Sequence, residues 1–165
     1  MIKGLHHNAY RCRDSEETRR FYEDFLGLRL AGTLEIKETK SGRKTTTLHT
    51  FYEMGDGSYL AFFEAPDMPF EFKKQHDFDL HIALEVEPDT LLRMLAKGRD
   101  EGREVRGVSD HGFIHSIYFR DPNGYVIELA AKTEDHPAMM DPECNGARRT
   151  LDAWQAAKKA AVAPA

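Results

Sequence analysis

Several short runs of the chain alternate apolar with polar residues, and two of these runs open two similar halves. In HIALEV, residues 81–86, Ile82, Leu84 and Val86 fall on one side of an extended strand, with His81, Ala83 and Glu85 on the other. In HNAYRC, residues 7–12, the same parity groups His7 with Ala9 and Arg11. Each run leads into apolar residues at helical spacing: Phe21, Tyr22, Phe25 and Leu26 in the first half, Leu91, Leu92 and Leu95 in the second. Asp14, with Glu17 three residues on, reads as a helix N-cap, and Pro88 and Asp89 mark the second start. Gly27 and Gly102 suit the left-handed residue after a helix end.

Three β-prone segments follow each helix: LRLAGTLEI, TTTLHTFYEM and SYLAFFEA, then REVRGVS, FIHSIYFRD and YVIELAA. Each half therefore reads βαβββ, and the chain is α+β with two paired modules. The last two strands of each half are joined by tight turns, Gly55-Asp56-Gly57 and Asp121-Pro122-Asn123-Gly124. Aligning the halves matches His7 with His81, and Ala61 with Glu128. The boundaries expected are one domain over 1–133, with modules at 1–66 and 78–133, and a tail over 134–165. The charged insert IKETKSGRKT, 36–45, reads as a solvated hairpin or lid.

Glu128 is the anomaly in this pattern. It is a carboxylate in the middle of an otherwise apolar strand, where an unpaired charge costs several kcal/mol. Strand parity sets it with Val126 and Ala130. If the halves curl into one open barrel, His7, His81 and Glu128 converge on a cavity and the carboxylate gains a metal ion as partner. Two imidazoles and one carboxylate with open positions suit Fe(II), and also Mn, Zn or Ni.

Composition narrows the classes. The 165 residues are 41% hydrophobic and 31% charged, with a net charge of −5, which gives no reason to expect nucleic acid or an anionic membrane as partner. No window approaches the roughly 18–20 apolar residues of a membrane span, and the N-terminus lacks a signal-type apolar run. Cys12 and Cys144 make no disulfide framework. A cytoplasmic protein is the expectation.

The paired modules, the opening HHNAYRCRDSEETRRFYEDFLGLRL and the closing DPNGYVIEL resemble the vicinal oxygen chelate superfamily over residues 1–133. That superfamily includes glyoxalase I, type I extradiol dioxygenases, fosfomycin-resistance enzymes and metal-free bleomycin-binding proteins. The resemblance implies an open eight-stranded cup, a divalent metal on His7, His81 and Glu128, and a homodimer. It also implies a substrate that chelates the metal through two neighbouring oxygens. Glyoxalase I places a fourth ligand where Ala61 stands, whereas extradiol dioxygenases need only the two histidines and glutamate. The segment SDHGFIHSIYFRDPNGYVIE resembles the dioxygenase signature through His111, Ile117, Tyr118, Asp121, Pro122, Gly124 and Glu128, with Ser109 a minor departure. By that resemblance Fe(II) is the favoured metal, His111 the proton shuttle and Tyr118 a donor to substrate oxygen.

One departure bears on the reaction. The further histidine of such dioxygenases aligns with Ser58, and His49 on the preceding strand is the candidate to replace it. A glyoxalase-like lyase or isomerase and a metal-free binding protein stay open as alternatives.

In the tail, KTEDHPAMMDPECNG reads as loop and ARRTLDAWQAAKKAA as a short helix. Leu151 and Trp154 would dock on the body or on a second subunit. Nothing in the spacing of His136 and Cys144 supports a second metal site, and the final AVAPA reads as a disordered end.

Overall fold

The computed structural model describes residues 1–72, 74 and 76–162, with side chains to residue 158. Most of the AVAPA end therefore lies outside the described residues. The first module runs β1 (Tyr10–Arg11), α1 (Ser15–Arg19) continuing into a π-helical segment (Arg20–Phe25), β2 (Arg29–Glu38), β3 (Lys44–Glu53) and β4 (Tyr59–Glu64). The second runs β5 (His81–Glu85), α2 (Pro88–Asp100), β6 (Val105–Asp110), β7 (Ile114–Arg120) and β8 (Val126–Lys132). The eight strands form two four-stranded sheets ordered β1-β4-β3-β2 and β5-β8-β7-β6, so β1 and β5 each lie at an open edge.

Local chemistry accounts for these boundaries. The Asp14 carboxylate accepts the Glu17 backbone N–H at 2.7 Å and caps α1. Pro88 sits in the first turn of α2, where its missing N–H costs nothing. Gly27 and Gly102 both have positive φ, 85° and 65°. The insert at 36–45 is a hairpin between β2 and β3, closed by Thr39 N–H donating to the Arg43 carbonyl at 2.9 Å. The π-helical turn was not foreseen. Leu26 N–H donates five residues back to the Phe21 carbonyl at 3.0 Å, and Phe21, Tyr22 and Phe25 all reach the core.

One core serves both modules. Phe21, Tyr22, Phe25, Tyr52, Leu60 and Phe62 of the first half join Leu91, Leu95, Ile117, Phe119, Ile127 and Leu129 of the second in a single buried cluster. Rings interlock across it: Tyr22 lies 4.7 Å from Phe62, and Phe25 meets Phe119 edge-on at 5.1 Å. Gly98 of α2 is a close-approach position, since a Cβ there would stand 2.5 Å from Phe119 Cε1. A buried polar knot joins the halves: Asp121 accepts Tyr22 Oη–H at 3.0 Å, and Asn123 Nδ2 donates to Asp121 at 3.0 Å and to Thr18 at 3.2 Å. Each sheet thus gives one face to the common core and turns its other face away.

The tail holds a short helix α3 (His136–Met140), expected as loop, and α4 (Ala147–Val162). Leu151 and Trp154 are exposed, Trp154 at 65%, so they do not dock on the body of the same chain. Among the described residues no helix is long and apolar enough to cross a membrane.

Candidate metal centre

The two repeats place their histidines at equivalent points of the backbone. His81 pairs with Val126 and Ala83 with Glu128 across the parallel β5–β8 ladder. His7 bridges Tyr59 in the same sense beside β4, which carries Ala61 two residues further on. Parity then keeps Ile127 and Leu129 in the core and turns Glu128 to the opposite face of the sheet.

On that face Glu128 and His81 meet. His81 Nε2 lies 3.3 Å from Glu128 Oε2. The Glu128 residue is 4% exposed, and its other oxygen accepts Ser116 Oγ–H at 2.5 Å. His81 Nδ1 lies 3.1 Å from the Asp77 backbone carbonyl. A carbonyl only accepts, so Nδ1 carries the proton, and in the neutral ring Nε2 presents its lone pair to the carboxylate. Two lone-pair donors facing each other at this distance require a cation or a shared proton between them. The pair fits a divalent ion: one fixed imidazole nitrogen and one buried, hydrogen-bonded carboxylate oxygen.

Tyr118 and His111 join this group. Tyr118 is the direct cross-strand neighbour of Glu128, and its hydroxyl lies 2.9 Å from His111 Nε2. Burial raises the Tyr118 phenol above its ordinary value and the nearby Glu128 charge adds to this, while Ser116 opposes it. The Arg106 guanidinium lies over the Tyr118 ring, 5.6 Å from its centre. A cavity of about 430 Å³ opens here, lined by His81, Glu128, Tyr118 and Arg106 with His76, Asp77, Phe78 and Val126. The sequence reading missed Ser116, Arg106 and the segment His76–Phe78. Ser116 shares strand parity with Tyr118, a signal that would have found it; the others meet the site only through tertiary packing.

His7 stands apart. Among the described residues no three His, Cys, Asp or Glu side chains group closely enough to hold a metal, and His7 does not line the His81–Glu128 cavity. It lies on the outward face of the first sheet, with Nδ1 2.8 Å from His6 Nδ1 and its ring 6.0 Å from that of His49. The expected convergence of all three residues is therefore incomplete within one chain, because the shared core holds the two outward faces apart.

The remaining candidates are placed as follows. Ala61 is fully buried and offers no donor atom. Ser58 is committed to a turn, donating to Asp56 at 2.6 Å. His49 is buried, stacked on Phe63 at 3.7 Å between ring centres, with Nδ1 2.9 Å from the Phe62 carbonyl. Burial lowers its imidazole below the ordinary value, against the pull of that carbonyl. It shares the His7 face.

Comparison with known proteins gives a consistent answer. A family profile described as Glyoxalase/Bleomycin resistance protein/Dioxygenase superfamily matches residues 4–129. A glyoxylase/bleomycin resistance protein/dioxygenase domain from Frankia sp. EAN1pec superposes with a TM-score of 0.64 at 19% identity, covering 81% of this chain and 100% of that one. The fosfomycin resistance protein FosX of Listeria monocytogenes, solved with Mn(II) and sulfate, gives 0.62 at 19%, covering 83% and 98%. A glyoxalase/dioxygenase from Nostoc punctiforme gives 0.58 at 23%, covering 80% and 92%. At these identities the structural likeness establishes the paired-module fold.

Proposed function

The chain belongs to the glyoxalase/bleomycin resistance protein/dioxygenase superfamily, and from that premise we propose that it is a metal-dependent enzyme acting on a small molecule with two neighbouring oxygens. The reaction proposed is extradiol-type ring cleavage of a catechol-like substrate by O2. The observation that carries the metal reading is the buried Glu128 oxygen 3.3 Å from His81 Nε2, with the other ring nitrogen tied to a carbonyl. The Mn(II) in the Listeria protein supports a divalent ion in this fold.

The third ligand, in this reading, is His7 of a second copy. β1 and β5 are open edge strands, and a partner that lays its β1 edge beside β5 closes an eight-stranded cup between two chains. Its outward face then carries His7 toward His81 and Glu128. The protein so described is a cytoplasmic homodimer.

A divalent ion held here, Fe(II) in this reading, would supply a Lewis acid for two adjacent substrate oxygens and a path for electrons from the substrate to O2. The protein's own residues do the rest. Ser116 holds the Glu128 carboxylate, and the Asp77 carbonyl fixes the His81 tautomer. Tyr118 Oη–H donates to a substrate oxygen. His111, exposed and hydrogen-bonded to that phenol, passes the proton between the cavity and solvent. The fully buried Ala61 gives the glyoxalase alternative no fourth ligand.

An oxygen electrode tests this. Iron-loaded protein is expected to consume O2 with catechol; His81→Ala should lose both metal and uptake, and His111→Ala should keep metal but lose turnover. Full activity in both variants would sink the scheme. Product formation under nitrogen would replace it with the lyase or isomerase reading.

A further inference from the structure

Residues 76–79, just before β5, form a strap along one wall of the cavity. The Asp77 carboxylate accepts Arg106 Nη2–H on β6 at 2.5 Å and Arg120 Nη2–H on β7 at 3.2 Å. The Asp77 carbonyl accepts from His81, and His76 N–H donates to Asp79 at 3.0 Å. Between these ties the rings of His76 and Phe78 stack, 4.8 Å apart and 12° from parallel. Both line the cavity that holds His81 and Glu128, yet Phe78 is 81% exposed. So well-anchored a segment thus holds a large apolar ring with one face against His76 and most of its surface exposed. Arg106, tied to the strap through Asp77, also lies over the Tyr118 ring, 5.6 Å from its centre, in the lining of the same cavity.

We propose that this strap is a specificity element: Phe78 stacks on the ring of an aromatic substrate whose neighbouring oxygens face His81 and Glu128. The proposal rests on the metal-centre reading and narrows it, selecting planar arenes over aliphatic compounds with the same pair of oxygens. An aliphatic chain gains only contact area on Phe78, whereas an arene also gains offset stacking. The strap further ties recognition to the metal, because Asp77 anchors the platform through its carboxylate and orients the ligand His81 through its carbonyl. Asp77 is accordingly a positioning residue.

Benzohydroxamate and acetohydroxamate share one chelating head and differ only in phenyl against methyl. Calorimetric titration of each into the Mn(II)-loaded protein gives an aryl-over-methyl affinity ratio. Phe78→Leu keeps apolar bulk without a ring, and is expected to lower that ratio about ten-fold, with Phe78→Trp preserving it. The high exposure of Phe78 makes misfolding of either variant an unsuitable explanation, and circular dichroism checks it. If acetohydroxamate binds but the ratio is the same in Phe78→Leu, the strap proposal is overturned while the metal centre stands; a partner chain covering Phe78 would give that result. If neither hydroxamate binds the Mn(II)-loaded protein, both fall together.

Discussion

Glu128 is buried within a strand whose neighbours, from Val126 to Ala131, are apolar and buried as well. An ionised carboxylate in such a place costs several kcal/mol unless it is compensated. Ser116 supplies one compensation, and a cation or proton held between Glu128 and His81 would supply the other. Ser116→Ala removes the hydrogen-bond donor with little change of volume, so it should leave the fold intact and weaken metal binding about ten-fold, the low end of what outer-shell partners contribute. Competition against a chelator measures this, and an unchanged affinity would show that the serine does not orient the ligand. Alternation along β7 and β8 is a local property, and it made Glu128 and Tyr118 legible in sequence as residues on one sheet face. The same alternation extends to Ser116. Arg106 and Asp77 offered no such signal, because 29 positions separate them and only the folded chain brings them together.

At the scale of elements, the repeat was legible because each copy carries its own helix start (the Asp14 cap in one, Pro88 in the other), helix stop and hairpin turn. The paired ladders agree: His7 meets Tyr59 as His81 meets Val126. The π-helical segment was not legible. Whether Leu26 N–H donates four or five residues back is settled by packing Phe21, Tyr22 and Phe25 against the core, and no spacing rule expresses that. The strap was not legible for the same reason, since its order comes from charges on β6 and β7. Arg120, with Arg106 next to it, holds the Asp77 carboxyl below its ordinary value of 3.8. A depressed folded-state value means that the stabilisation is present above the unfolded value and is lost as the pH falls through the lower, folded one. Hydrogen-exchange protection of the strap amides should therefore hold from neutral pH down to about 4 and decline below it. Protection that declines between pH 7 and 5 would point to a histidine instead. Both arginines are partly solvent-exposed, so the effect should shrink at high salt.

For the whole molecule, the deciding feature is the core shared between modules. Burying side chains such as Phe119 and Leu129 contributes roughly 1.5–3 kcal/mol each, and this fixes the inner face of each sheet. The outer faces, one with His7 and one with His81 and Glu128, then look away from each other. Pattern and repeat singled out His7, His81 and Glu128 as candidate ligands but not their division between two faces, because which faces share a core is a tertiary choice. In the proposed homodimer the ligands of each site would be drawn from two chains, which accounts for the division. The exposed Trp154 and Leu151 on α4 likewise find no seat on their own chain.

The most direct measurement is the metal content of protein from cells co-expressing His7→Ala and His81→Ala chains. Neither variant alone can assemble a complete ligand set. Each mixed dimer, however, rebuilds one site from His7 of one chain with His81 and Glu128 of the other. Random pairing should restore about a quarter of the wild-type high-affinity sites. Metal no higher than in either variant alone, with mixed dimers shown to be present, would contradict a centre shared between chains.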